Sequence, residues 1–186
     1  LCAHFGNLEL CRLLSKKRAG LQLTVLVHTK HARAFNQLLN ELDPTSGLNL
    51  LQVTELSPAT AVLLMEKIAQ GEFVVIAGDR IPVSAKPRVV TVPFLGDHAP
   101  FPIGPYVLAH LFQCPTYLLF PLATKDGVEL HIEPFRESIQ WTRTTREDVL
   151  TALATDYAAR LAHYCVREPL QWFNFYDFWQ PLGQDA

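Results

Sequence analysis

At 186 residues, 49% hydrophobic and 18% charged with a formal net charge of −2, the chain can bury the core of one domain and is too short for two comfortable ones. So balanced a charge excludes the basic excess of a nucleic-acid binder. Mean hydropathy is high at +0.12, yet the most apolar stretch, residues 106–123, is interrupted by His110, Gln113, Pro115 and Pro121, which argues against a membrane-spanning helix.

In chain order, the first signal is His4-Phe-Gly-Asn-Leu-Glu9, an H-x-x-x-x-E spacing. A histidine paired with a carboxylate can serve as a positioned general base. An uninterrupted helix turns residues at that separation away from each other, so His4 belongs in a turn and Glu9 in the first turns of a helix running on through Leu10, Leu13 and Leu14. A strand is expected over 21–28, a helix over 30–42 closed by Asp43-Pro44, and a short strand over 49–53. Ser57-Pro58 caps a helix to Gln70, which Gly71 ends, and Phe73–Ala77 reads as a strand buried on both faces. Strands of that kind belong to a mostly parallel or mixed sheet flanked by helices, hence an α/β fold.

The second half reads as a strand over 88–94, a helix from Gly104-Pro105 to Phe112, strands over 116–121 and 128–132 joined by a turn at 125–127, and a long helix over 145–166. An aromatic tail, PLQWFNFYDFW, follows over 169–179. With no repeat or linker in view, residues 1–186 form a single domain in this reading.

Three further clusters bear chemistry. Gly78-Asp79-Arg80 follows a strand directly, where α/β proteins place ligand loops, and Arg80 presents a fork suited to phosphate or carboxylate. A surface Asp79–Arg80 pair explains it equally well. Phe101, Gly104 and Pro105 precede or open a helix whose amides could receive an anion; the plain alternative is a rigid connection. The tail aromatics complete the core or meet a membrane interface, with core packing preferred for most. His28 and His31 lack a carboxylate or cysteine ligand nearby in sequence, so no metal is expected, and Cys2 lacks the geometry of a nucleophile. Four scattered cysteines read as buried free thiols.

Taken together in order and spacing, His4, Glu9, Gly78-Asp79-Arg80, Phe101-Pro-Ile-Gly-Pro105 and Gln171-Trp172 resemble the lysophospholipid acyltransferase superfamily, most closely its bacterial lipid A biosynthesis (lauroyl/myristoyl) branch. The resemblance implies an O-acyltransferase with His4 as the base that deprotonates the acceptor hydroxyl and Glu9 as the acid that orients it. Arg80, beside Asp79, would hold a phosphate; Phe101, Gly104 and Pro105 would shape the acceptor site, and Pro121 would be structural. It further implies an acyl carrier protein or coenzyme A thioester as co-substrate, no other cofactor, a lipid or glycolipid acceptor, and peripheral contact with the cytoplasmic face of the bacterial inner membrane. A membrane-anchoring segment is expected ahead of the motif with which this chain opens. A glycerolipid acyltransferase and a non-catalytic lipid- or carrier-binding domain are the alternatives.

Overall fold

The computed structural model of the chain describes residues 1–6, 21–27, 48–52, 58–81 and 87–179. Glu9, His28, His31, Cys11 and the helices expected after His4 and over 30–42 lie outside the described residues. The fold is α/β, with parallel and antiparallel pairing in separate sheets. The chain divides into two compact units, Leu8–Ala77 and Leu1–Asn7 with Gly78–Ala186.

In the first unit, β1 (Leu23–Val27) lies between β2 (Leu48–Gln52) and β3 (Phe73–Ile76), all parallel, with Leu23 opposite both Leu48 and Phe73. Helix α1 (Pro58–Ala69) links β2 to β3, as parallel pairing requires. Its Leu64 is fully buried, whereas Val62, Leu63 and Met65 are exposed. Gly71, at φ +87°, closes the helix by donating to the Ile68 carbonyl at 2.9 Å. Burial of β3 on both faces is not what forms. Val75 is buried, but Phe73, the first residue of the strand, is 50% exposed, and Val74 and Ile76 are half-buried.

Two antiparallel hairpins build the second unit. In the first, β4 (Val89–Phe94) and β5 (Asp97–Pro102) are joined through Leu95-Gly96, both at positive φ as a tight hairpin turn demands. The segment ahead of Gly104 is thus a strand rather than a connection. Helix α2 (Gly104–Phe112) follows, ending at Gln113 in the left-handed region. The second hairpin, β6 (Thr116–Thr124) and β7 (Gly127–Arg136), outlasts the sequence expectation at both outer ends, since pairing continues from Pro121↔Leu130 to Thr124↔Gly127 and from Ile132 to Arg136. The apolar stretch over 106–123 is thereby divided between α2 and β6, and no helix among the described residues is long and apolar enough to cross a membrane.

Helix α3 (Arg146–Arg167) buries Leu150, Leu153, Ala154, Tyr157, Ala158, Leu161, Tyr164 and Cys165, a stripe at three- and four-residue spacing that packs on β4. A charged clamp ties it to β7. Arg160 donates to both Glu133 oxygens, Nε to Oε2 at 2.7 Å and Nη2 to Oε1 at 2.5 Å, and the Tyr164 hydroxyl adds a 2.5 Å bond to Oε1. The hydrogen bond from Arg160 is the main reason the Glu133 carboxyl is held below the usual carboxylate range, with burial opposing. Tyr164 is pushed up to about 12 by burial and by Glu133.

Residues 1–6 run extended between β6 and the segment after α3. Cys2 bridges Leu119 in parallel and Phe5 bridges Trp172 in antiparallel sense, while Leu119 N–H donates to the Leu1 carbonyl at 2.8 Å. Gly6, at φ +60°, donates to the Gln171 carbonyl at 2.7 Å. A Cβ there would fall 1.8 Å from the Pro121 carbonyl oxygen, inside its van der Waals radius, whereas one on Gly104 meets nothing within 4 Å.

Gly6→Ala is therefore expected to cost more than about 2 kcal/mol, combining overlap with an unfavourable φ, and Gly104→Ala less than about 1 kcal/mol, measured by denaturant unfolding. For Glu133 the folded pKa is depressed, so its stabilisation is present above the ordinary value of about 4.5 and lost as pH falls through the folded one. Glu133→Gln should lower the melting temperature at neutral pH and flatten its fall below about pH 4.5, as followed by Tm across a pH series.

Candidate active site

Two residues after β3, the chain enters Gly78-Asp79-Arg80. Gly78 N–H donates to the Cys2 carbonyl at 2.9 Å, and the buried Tyr157 hydroxyl donates to the same oxygen at 2.7 Å. A Cβ on Gly78 would sit 3.1 Å from the Tyr157 ring, so glycine lets helix α3 close on this loop. The two bonds fix Gly78 against residues 2–4 and bring Asp79 under His4.

The Asp79 side chain is 2% exposed and receives three donors. His4 supplies its backbone N–H to Oδ2 at 2.9 Å and its ring Nδ1 to Oδ1 at 2.9 Å. The Trp172 indole Nε1–H donates to Oδ2 at 3.1 Å. An ionised carboxylate only accepts, so the proton of neutral His4 resides on Nδ1 and Nε2 keeps its lone pair. The His4 side chain is 31% exposed, which leaves the ring open to a substrate while its acid is sealed from water. An imidazole held in one tautomer by a buried carboxylate is the arrangement of a general base.

The field of Asp79 extends to its neighbours. Burial chiefly, and then Asp79, raises the Tyr157 hydroxyl and pushes the Cys165 thiol up to about 12. Tyr176 is raised by burial and Asp79 and eased back by Arg80. Burial also raises the Cys114 thiol. Cys165 and Cys114 thus stay protonated near neutral pH, and Cys2 is 2% exposed, so these three cysteines are poorly placed for nucleophilic attack.

Arg80 stands at the edge of this pair. Its Nη2 donates to the Phe173 carbonyl at 2.7 Å, and Phe173 N–H donates to the His4 carbonyl at 2.8 Å, so one residue ties the guanidinium to the histidine. Arg80 is exposed and forms no ion pair among the described residues, so the Asp79–Arg80 surface pair is not what forms. His4, Asp79 and Arg80 are brought together.

The remaining candidates lie elsewhere or deeper. Glu9 is outside the described residues. Phe101 is fully buried, edge-on to Phe94 at 5.3 Å, Phe178 at 5.4 Å and Tyr157 at 6.0 Å, and reaches the site indirectly, through Tyr157 and through the rings that pack on Trp172. Pro105 is buried and Gly104 exposed at the start of α2. The first turn of that helix is a poorer anion site than expected: Pro105 has no N–H, and those of Tyr106 and Val107 go to the Ile103 carbonyl. A surface pocket of about 710 Å³, lined by His110, Trp141, Arg143 and Arg146 among others, contains neither His4 nor Asp79. No group of three or more metal-ligating side chains occurs among the described residues.

Sequence reasoning missed Trp172 and Tyr157 as parts of the site. Trp172 carried a signal, since a buried indole N–H must find an acceptor. Tyr157 carried none apart from its place on the buried stripe of α3.

No curated protein matches the chain. The model of a family described as bacterial lipid A biosynthesis acyltransferase matches residues 1–180, nearly the whole chain, taking in His4, Gly78-Asp79-Arg80 and the Trp172 segment. The chain belongs to the bacterial lipid A biosynthesis acyltransferase family.

Proposed function

We propose that this protein is an O-acyltransferase that moves a fatty acyl group from a thioester, on acyl carrier protein or coenzyme A, to a hydroxyl of a lipid or glycolipid. The observation that carries this reading is the Asp79–His4 pair, a buried carboxylate on Nδ1 of a ring that is partly exposed. Family membership supports acyl transfer as the reaction class.

The step follows from the tautomer. The acceptor hydroxyl gives its proton to His4 Nε2 as its oxygen attacks the thioester carbonyl carbon. The imidazolium that forms is stabilised by Asp79, whose negative charge stays in place. As the carbon–sulfur bond breaks, the departing sulfur takes the proton from Nε2, leaving an ester and a free thiol with His4 neutral again. The activated acyl group arrives on the co-substrate, so the chain itself need supply only base, orientation and charge.

Asp79 takes here the orienting role that the resemblance gave to Glu9. Glu9 is assigned as a second acid of the motif. Arg80 is assigned to a phosphate of the acceptor or donor, where a planar guanidinium can bind two oxygens at once. Phe101, Gly104 and Pro105 act on the acceptor site indirectly, by setting the start of α2. Work on a lipid acceptor supports a location at the cytoplasmic face of the inner membrane, peripheral or anchored through a further segment.

His4→Ala should lower turnover on the order of 10²–10⁴-fold, the usual worth of a general base, with the fold retained by circular dichroism. Near-normal turnover in that variant would remove the assignment. Asp79→Asn places an amide donor where an acceptor is required and should cost on the order of 10²–10⁴-fold in kcat with little change in KM. Glu9→Gln should cost less than Asp79→Asn in the same thioester-consumption assay; the reverse order would return the orienting role to Glu9.

A further inference from the structure

The segment after α3 turns large apolar side chains outward. Leu170 is 93% exposed and Phe175 87%, and Phe173 and Tyr176 are nearly half exposed. The Phe173 and Phe175 rings lie 6.2 Å apart. This is not a loose tail. Phe178, 2% exposed, packs on Phe94, Phe101 and Trp172, and the Gln171 and Phe173 backbones are bonded to Gly6 and His4. The inward residues hold the segment while the outward ones stand in water, a disposition that marks an interaction surface.

We propose that Leu170, Phe173, Phe175 and Tyr176 form a docking surface that enters the interfacial layer of a lipid bilayer. The composition fits that medium: Leu170, Phe173 and Phe175 suit the acyl boundary, and Tyr176 adds an amphipathic aromatic ring. Charge fits as well. The Arg80 guanidinium is bonded to the Phe173 carbonyl and forms no ion pair among the described residues, setting a positive group beside the patch where headgroup phosphates lie. Glu168 and Asp177 in the same segment keep the patch from being strongly basic, so apolar burial carries most of the affinity and salt should weaken it little.

The surface is continuous with the active site through Phe173, which holds both Arg80 and the His4 backbone. Docking would bring the imidazole to the boundary at which a lipid hydroxyl is presented. The use of the surface in this way rests on the acyl-transfer reading, whereas its binding to lipid does not.

Flotation of the full chain with vesicles of phosphatidylethanolamine and a minor share of phosphatidylglycerol tests the proposal. Leu170→Ser/Phe175→Ser should weaken partitioning by at least about tenfold per side chain. Both residues are exposed, so the melting temperature should not move. Transfer to a detergent-dispersed, short-chain acceptor should be unchanged in the double variant, while transfer to a vesicle-embedded acceptor falls with binding. If wild-type protein floats, the variant does not, and neither transfers acyl groups to any acceptor, the docking surface stands and the acyl-transfer reading fails. Equal flotation of the two proteins overturns the docking surface. So does a wild-type chain that does not float but self-associates through these residues, since a second copy is then the occupant.

Discussion

A carboxylate buried to the extent of Asp79 is costly unless hydrogen-bond donors surround it, and the second unit is arranged to supply them. The donors come from opposite ends of the sequence: His4 twice, once through its backbone and once through its ring, and Trp172 from beyond α3. Satisfying the acid therefore determines the tautomer of His4. Folding and the proposed chemistry share one constraint here, because the bond that compensates for burying the charge also leaves the Nε2 lone pair unused by Asp79.

The extended residues 1–6 connect the rest. One flank is bonded to β6, the other to the segment after α3, and the Cys2 carbonyl accepts from both Gly78 and Tyr157. Gly6 lies against the Pro121 carbonyl so closely that a methyl group has no room. Helix α3 contributes at two levels. Its middle turns bring Tyr157 to the site, and its later turns are clamped to β7 through Glu133, Arg160 and Tyr164. The imidazole inherits its rigidity from packing some distance away.

Much of this could be read from residues alone, and the failures have physical causes. The strands β1, β2 and β4 and the helices α1, α2 and α3 carry their own periodicity and caps, and emerge within a few residues of the expected bounds. Strand β5 was obscured by Pro100 and Pro102, which a hairpin of only two strands tolerates although they remove ladder donors. His4, Asp79 and Arg80 were each visible as chemistry. That Asp79 faces His4 was not, because a pairing across 75 residues is decided by how Gly78 docks on Cys2, and local spacing favoured Glu9. The aromatic tail could be counted in the sequence, but its division into inward Phe178 and outward Leu170 and Phe175 depends on strand and turn direction that composition does not encode.

The Trp172–Asp79 bond joins a loop before the middle of the chain to a residue near its end. Synthesis must therefore have passed Trp172 before the indole can reach that acid. Until then a growing chain has its imidazole but only part of the setting that seals the aspartate from water. The donor set of the acid is thus completed only by chain made after α3.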